Sequence, residues 1–424
     1  MFHVKQTYLV IRPRLCALCA NDKSLVFFEK TLQNEDKTRA LESLDTTRFF
    51  SVKTLKTPFF RSISMKWKFF ASLLLVNTIC FGQLEPVAIG EWKNHMPISQ
   101  AKDVAKADSK IYSVFSNGIL IYDSEDESSE FLSKTNGLSS IGLSQVEYEA
   151  STQTTIVGYL DGNLDLISTK DEVYNMSDIK RSNILGDKSI YNIVIINDLA
   201  YICTGFGIVV LDPSRKEIKD TYIFGNGGMN IKVNSVCSDG TNIYAATDIG
   251  LYSALLSNPF LSNYTSWTKN ITLNSAAVNG PFSHIAFHSN SLFISREISG
   301  NNNDSCYVFN GSWSYFNAAF TNDVKNLKSL GNKLLFIGNG SLALYDQAMV
   351  RTNDMTSYTF DYIDANDAVF SSDNQFYIAD NRNGLVKGST TWNNQKISKS
   401  SPLNSGCAHV AAQDGVVLIA HDGF

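Results

Sequence analysis

Histidine is scarce in this chain of 424 residues, which holds six. The nearest pair is His284 and His288, in Ser-His-Ile-Ala-Phe-His. On a strand rising ~3.3 Å per residue, side chains four apart share a face but stand about 13 Å apart, too far to share one metal ion. An interior or surface role suits them better. No His-Glu-x-x-His motif, glycine-rich phosphate loop or Gly-x-Ser-x-Gly elbow is present either. The standard metallohydrolase, nucleotide-binding and serine-hydrolase readings therefore lack their chemistry, and no catalytic residue is assigned.

Cysteine is equally thin beyond residue 82: Cys203, Cys237, Cys306 and Cys407 lie far apart, without paired metal-ligand spacing. The first three sit beside strand-like residues, as in Tyr201-Ile202-Cys203, which predicts buried free thiols. Export would permit disulfides, but nothing in the spacing selects a pairing. The Cys16-Ala-Leu-Cys19 pair belongs to a leader of different character.

A long hydrophobic run is also missing. The apolar stretch Phe69–Val76 follows Met65, Lys66 and Lys68 and precedes Cys80-Phe81-Gly82-Gln83. A basic start, a short apolar core and a small residue before a polar one describe a Sec signal peptide over residues 65–82, cut after Gly82. Residues 1–64 then read as an upstream extension ahead of the true start at Met65; the rival reading is a cytoplasmic arm with an internal membrane anchor. Cys80 invites lipidation, a minor alternative, since Asn77-Thr78-Ile79 lacks the small residue expected before it.

Positive charge is short beyond the signal peptide. Residues 83–424 hold 23 Lys and Arg against 35 Asp and Glu, a formal charge of 23 − 35 = −12. Such a surface repels phosphate backbones and excludes nucleic acid as a partner.

A repeat, by contrast, is abundant. A strand of alternating apolar residues, a turn with Asn, Asp or Gly, and a second strand often ending in Tyr-Asp or Leu-Asp recur at 111–123, 155–167, 200–212, 243–252, 334–346 and 376–386. The turn glycines Gly118, Gly162, Gly207 and Gly250 are 44, 45 and 43 residues apart, and Gly340 and Gly384 are again 44 apart. That period is one four-stranded propeller blade. The 90 residues from Gly250 to Gly340 must hold one divergent blade, with strands at Leu292–Ser295 and Cys306–Phe309. The chain is expected to be all-β, a β-propeller of about seven four-stranded blades over residues 83–424, with a truncated further hairpin at Val416–Gly423. Either that last strand closes the ring against the first blade, or a second part, such as a second propeller, lies beyond it.

The turns carry the candidate sites. The polar loops Asp161-Gly162-Asn163, Asn226-Gly-Gly228 and Asn301-Asn302-Asn303 are candidate face loops for partner recognition, although the same residues are ordinary hairpin chemistry. Asp161–Asp165 and Asn301–Asp304 are oxygen-rich enough to hold Ca²⁺, the one cofactor weighed; otherwise none is expected. Asp323, Asp364 and Asp367 are among the acids that could pair across blades. Trp267, Trp313 and Trp392 fall late in three units and are expected to pack between blades.

Several ordered motifs carry a resemblance: Gly90-Glu-Trp-Lys-Asn-His-Met-Pro97, Leu132-Ser-Lys-Thr-Asn-Gly-Leu-Ser139, Asp178-Ile-Lys-Arg-Ser-Asn-Ile184, Gly205-Phe-Gly-Ile-Val-Val-Leu-Asp212 and Ile243-Tyr-Ala-Ala-Thr-Asp-Ile-Gly-Leu-Tyr252. From about Ile89 onward the chain resembles the N-terminal propeller of the PorZ family, surface components of the type IX secretion system of Bacteroidetes. The resemblance implies a non-catalytic scaffold at the cell surface or periplasm, associated with the outer membrane. Its partners would be PorU-, PorV- and PorQ-like proteins and anionic lipopolysaccharide, to which cargo is attached. The family has a second propeller and a terminal sandwich; this sequence holds the first propeller's worth. Two other classes fit the repeat. Asn136-Gly-Leu-Ser-Ser also resembles periplasmic sensor propellers of hybrid two-component systems, and a polysaccharide-acting propeller enzyme would place paired acids about 5–10 Å apart at one channel mouth.

Overall fold

The computed structural model describes residues 96–223, 225, 229–272, 279–296, 304–316, 324–398, 408–413 and 416–420. Seven four-stranded antiparallel sheets succeed one another, each with its strands in sequence order. They form a seven-bladed β-propeller: blade 1 at 103–133, blade 2 at 143–176, blade 3 at 190–222, blade 4 at 233–269, blade 5 at 282–315, blade 6 at 324–355 and blade 7 at 365–397. The divergent blade is blade 5, whose strands Ser291–Arg296 and Ser305–Phe309 contain the two runs anticipated for it. The signal-peptide segment and the extension before it lie outside the described residues.

Burial explains why these segments fold as stacked sheets. The second strand of blade 1, Lys110–Phe115, is buried at every position after the first, because both faces of its sheet are covered. The outer strand Glu217–Tyr222 of blade 3 is largely polar and only partly covered. Seven apolar clusters result, one at each boundary between neighbouring blades. The core is thus a ring of seven interfaces. Cys203, Cys237 and Cys306 lie buried and free in it, with burial pushing their thiols up, Cys306 to about 12.

The tryptophans divide. Trp267 is buried between blades 3 and 4, its ring centroid 6.0 Å from that of Tyr222 and its Nε1 donating to Leu261 O at 2.8 Å. Trp313 packs on Phe309 and donates to Thr272 Oγ1, reaching from blade 5 to the connection after blade 4. Trp392 contradicts the packing expectation: it occupies the turn between the last two strands of blade 7 and is 86% exposed. The segment after blade 6 reaches that turn at Thr391, through Thr356 N, but leaves the indole uncovered.

The ring closes between blade 7 and blade 1. Ile98, Val104, Phe115, Tyr122, Tyr377 and Leu385 belong to one buried cluster there. Ala101 N donates to Asp380 O at 3.1 Å, and Asn366 Nδ2 donates to Ala101 O at 2.8 Å. Both blades take all four strands from their own stretch of chain, so side-chain packing and these bonds do the closing. The C-terminal hairpin, His409–Gln413 with Val416–Ala420, forms a two-stranded sheet of its own among the described residues. It is not the closing element.

Two turn glycines show what the repeat demands. At Gly118 a Cβ would fall 2.4 Å from Leu132 O, so close approach of the third and fourth strands excludes any side chain. Gly384 has φ +74°, and a Cβ there would stand 2.0 Å from Ile98 O, across the closing boundary. Its counterpart in blade 6, Gly340, has φ +75° but open space around it. Gly340→Ala should therefore cost only the left-handed backbone penalty, about 1–2 kcal/mol. Gly384→Ala should cost at least about 2 kcal/mol more, because backbone must shift at the closure. Urea midpoints of the two variants test this; equal losses would deny the tight contact at Ile98.

Candidate functional site: the polar channel

The innermost strands share a short pattern, apolar-x-polar-apolar: Ala101-Lys-Asp-Val104, Leu143-Ser-Gln-Val146, Ile190-Tyr-Asn-Ile193, Val233-Asn-Ser-Val236, Phe282-Ser-His-Ile285, Val324-Lys-Asn-Leu327 and Ala365-Asn-Asp-Ala368. In blades 2 to 7 the ladder to the second strand slips by one residue within this pattern. Such a bulge frees one residue from pairing and re-aims its neighbours, here toward the ring axis. In each blade the two apolar residues belong to one cluster, the one shared with the preceding blade, and anchor the strand there. The polar ones line a channel of about 780 Å³.

These side chains also tie blade to blade. Lys102 Nζ donates to Leu143 O at 2.7 Å, Asn192 Nδ2 to Ser235 Oγ at 3.1 Å, and Asn234 Nδ2 to Phe282 O at 2.8 Å. Asn326 Nδ2 donates to Asp367 Oδ1 at 2.8 Å, and Asn366 completes the circuit to blade 1. Asp103 accepts from Val146 N at 2.7 Å. The channel wall thus carries a girdle of short bonds across five of the seven blade boundaries.

One side of the channel holds a charge cluster drawn from blades 1, 2, 6 and 7. Lys328 Nζ lies 2.6 Å from Asp367 Oδ2. The carboxyl of Asp103 is in hydrogen-bonding reach of Asp367. Burial, followed by the negative charge of Asp367, raises Asp103 well above the usual carboxylate range. Burial also raises Glu147, against the pull of Lys328. Burial alone would lower Lys328, but Asp367, Glu147 and Asp103 outweigh it and hold the ammonium charged. Across the channel, burial lowers His284 to about 4, keeping its imidazole neutral at pH 7.

This arrangement is occupied with itself. Asp103 accepts from two backbone amides, Val104 N and Val146 N, and Asp367 from Lys328 and Asn326. Asp103 and Asp367 touch, whereas a glycosidase pair stands about 5–10 Å apart around an open sugar site. Lys325 is paired with Asp364 at the channel mouth. Lys325 and Lys328 are thus paired with carboxylates, while Lys102 donates to the Leu143 carbonyl.

The face loops named from sequence behave as local architecture where they are described. Asp161 pairs with Lys180 at 2.6 Å and accepts from Asn163 N. Gly162 adopts φ +80°. Asn163 is buried and donates to Ser139 Oγ at 2.6 Å. Asp165 faces another way, accepting from Tyr159 Oη at 2.5 Å, Ser139 N and Asn175 Nδ2. Asn226, Asn301, Asn302, Asn303 and Asp323 lie outside the described residues. His288 is buried, with Nε2 3.0 Å from Asp346 O, well away from His284 in the channel wall. Of the three acids singled out, Asp367 reaches the channel cluster and Asp364 the mouth. The cluster as a whole went unread; its signal was the sevenfold apolar-x-polar-apolar pattern.

Fold and channel together define a seven-bladed β-propeller around a polar channel. Residues 111–268 match the family profile described as TSS9, PorZ, N-terminal beta-propeller domain. Over those residues the chain is similar to that family's propeller. The solved structure of PorZ from Porphyromonas gingivalis, described as an essential bacterial surface component of the type IX secretion system, superposes with a TM-score of 0.65 at 17% identity. The match covers 79% of this chain and 43% of that one, so the chain spans less than half of the solved PorZ. No curated protein sequence matches it.

The channel electrostatics give two expected outcomes. A histidine with a lowered folded pKa contributes stability that is complete above its unfolded value and lost as pH falls. Wild type should therefore lose up to about 3 kcal/mol through His284 between pH 6.5 and about 4. In His284→Gln that component disappears, so the difference in urea midpoint between variant and wild type must change across this window; a constant difference would contradict the buried neutral imidazole. Lys328→Met should cost about 2 kcal/mol or more at neutral pH by stranding the carboxyls, with partial recovery in mild acid as they protonate. An unchanged midpoint at pH 7 would show that the cluster does not need its cation.

Proposed function

We propose that this chain is a non-catalytic scaffold and binding propeller of the type IX secretion attachment machinery, exported by the signal peptide at 65–82 and held at the outer membrane or cell surface. The observation that carries this reading is the PorZ profile match over residues 111–268. The channel supports it, because its acids and lysines are engaged by one another and by backbone groups. Among the described residues no helix is long and apolar enough to cross a membrane. Retention at the surface would then come from partners.

Those partners are PorU-, PorV- and PorQ-like proteins, with the loops of a propeller face as the contact. Assistance in cargo processing and attachment to anionic lipopolysaccharide belongs to the same proposal. Residues 83–424 carry −12, so an anionic glycan would need a bridging cation such as Ca²⁺ or a locally neutral surface.

Deleting the gene in its native host tests the proposal. Cargo should accumulate unprocessed and fail to reach the surface, and reintroducing the chain with the remainder of its reading frame should restore both. Normal cargo processing without it would overturn the role; normal processing with altered transcription would point to a sensor.

A further inference from the structure

Strand direction assigns every loop to one of two faces. The turns between second and third strands and the connections from blade to blade share the upper face; the remaining hairpin turns share the lower. The charges divide unequally. Among the described loops, the upper face holds seven cations and seven anions, while the lower holds three cations against ten anions, including the run Glu125-Asp126-Glu127. The upper face is a neutral surface on an acidic molecule.

It is also where exposed apolar side chains gather. Ile141, Leu160, Leu185, Met229 and Ile249 stand on successive upper loops of blades 2 to 4, with Leu185 85% and Met229 63% exposed. Hydrogen bonds stitch these loops edge to edge: Leu160 N to Gly142 O, Ser189 Oγ to Leu160 O, Asn230 Nδ2 to Leu185 O and Asp248 N to Lys232 O. The residues therefore form one crescent around the channel mouth. Exposed apolar side chains grouped on adjoining loops in this way mark an interaction surface.

The charges inside the crescent say what fits it. Its carboxylates are mostly taken: Asp161 by Lys180, Asp187 by Ser189 N and Tyr191 Oη, Asp248 by Asn234. Its cations are less so. Arg181 is exposed, Lys188 Nζ rests on the carbonyls of Lys180 and Ser182, and Lys232 Nζ lies 3.9 Å over the Tyr191 ring. Among the described residues none of these three has a carboxylate within ion-pair distance.

We infer that the upper-face crescent of blades 2 to 4 docks a partner polypeptide segment that carries apolar side chains interspersed with carboxylates. The apolar residues seat against Leu160, Leu185 and Met229, and the carboxylates meet Arg181, Lys188 and Lys232. The inference rests on the proposed scaffold role and supplies its contact surface. The acidic lower face would repel the same segment, which gives docking a direction.

The test uses short fluorescein-labelled peptides of leucine and glutamate in equal number, and counterparts with lysine in place of glutamate, read by fluorescence anisotropy on the whole chain. The acidic peptide should bind at low salt and weaken as salt rises, whereas the basic peptide, drawn to the acidic lower face, should bind without regard to the crescent. Leu185→Ser with Met229→Ser and, separately, Arg181→Glu with Lys232→Glu should each weaken acidic-peptide binding about tenfold and leave basic-peptide binding undiminished; unchanged urea midpoints certify folding. Absence of acidic-peptide binding, or acidic-peptide binding that survives either pair of substitutions, overturns the inference. So does self-association in sedimentation that Leu185→Ser abolishes, which assigns the crescent to a second copy. Either failure, with secretion still dependent on the gene, removes the docking face and leaves the scaffold role standing.

Discussion

Everything in this propeller depends on how neighbouring innermost strands hold one another. A blade is a twisted sheet covered on both faces, so no blade can bury its own core; each boundary must be made by two. The apolar residues of the first strands feed those boundaries, and the polar residues between them bond across to the next blade. At the boundary of blades 7 and 1 the two strands are some 260 residues apart in sequence, as Asn366 and Ala101 show. No described strand is shared there; among the described residues Asn366, Gly384 and the cluster around Tyr377 and Leu385 bear the closure.

The same constraint shapes the channel. Seven first strands meeting at an axis bring polar side chains close together, and buried polar groups are costly unless partnered. Asp103, Glu147, Lys328 and Asp367 sit together in the wall and offset part of one another's burial cost. The faces are built from loops, whose length and composition vary freely without disturbing the girdle. The neutral upper face and the acidic lower face express that freedom in charge.

Most of the architecture was legible because its signals are local. A turn glycine is demanded by the strands on either side of it, so Gly118, Gly162, Gly207 and Gly250 mark the blade period by spacing alone. The divergent blade could be placed by the room it had to fill. The charge cluster was hidden because its members stand at 103, 147, 328 and 367, and no stretch of sequence shows them together. Aligning the blades on their first strands would have revealed one polar position per blade. Trp392 misled for the opposite reason: Thr-Trp-Asn resembles the settings of Trp267 and Trp313, yet its turn is touched by the segment after blade 6 only at Thr391 and leaves the indole in solvent.

Residue-resolved native-state hydrogen exchange addresses the closure most directly. If blades 7 and 1 are joined by packing and the inner girdle, the amide of Ala101, which donates to Asp380 O across the boundary, must be protected as strongly as mid-strand amides of blades 3 and 4. Exchange at that position as fast as in exposed turns, with blades 3 and 4 still protected, would mean that the ring is open at that boundary and would contradict the account.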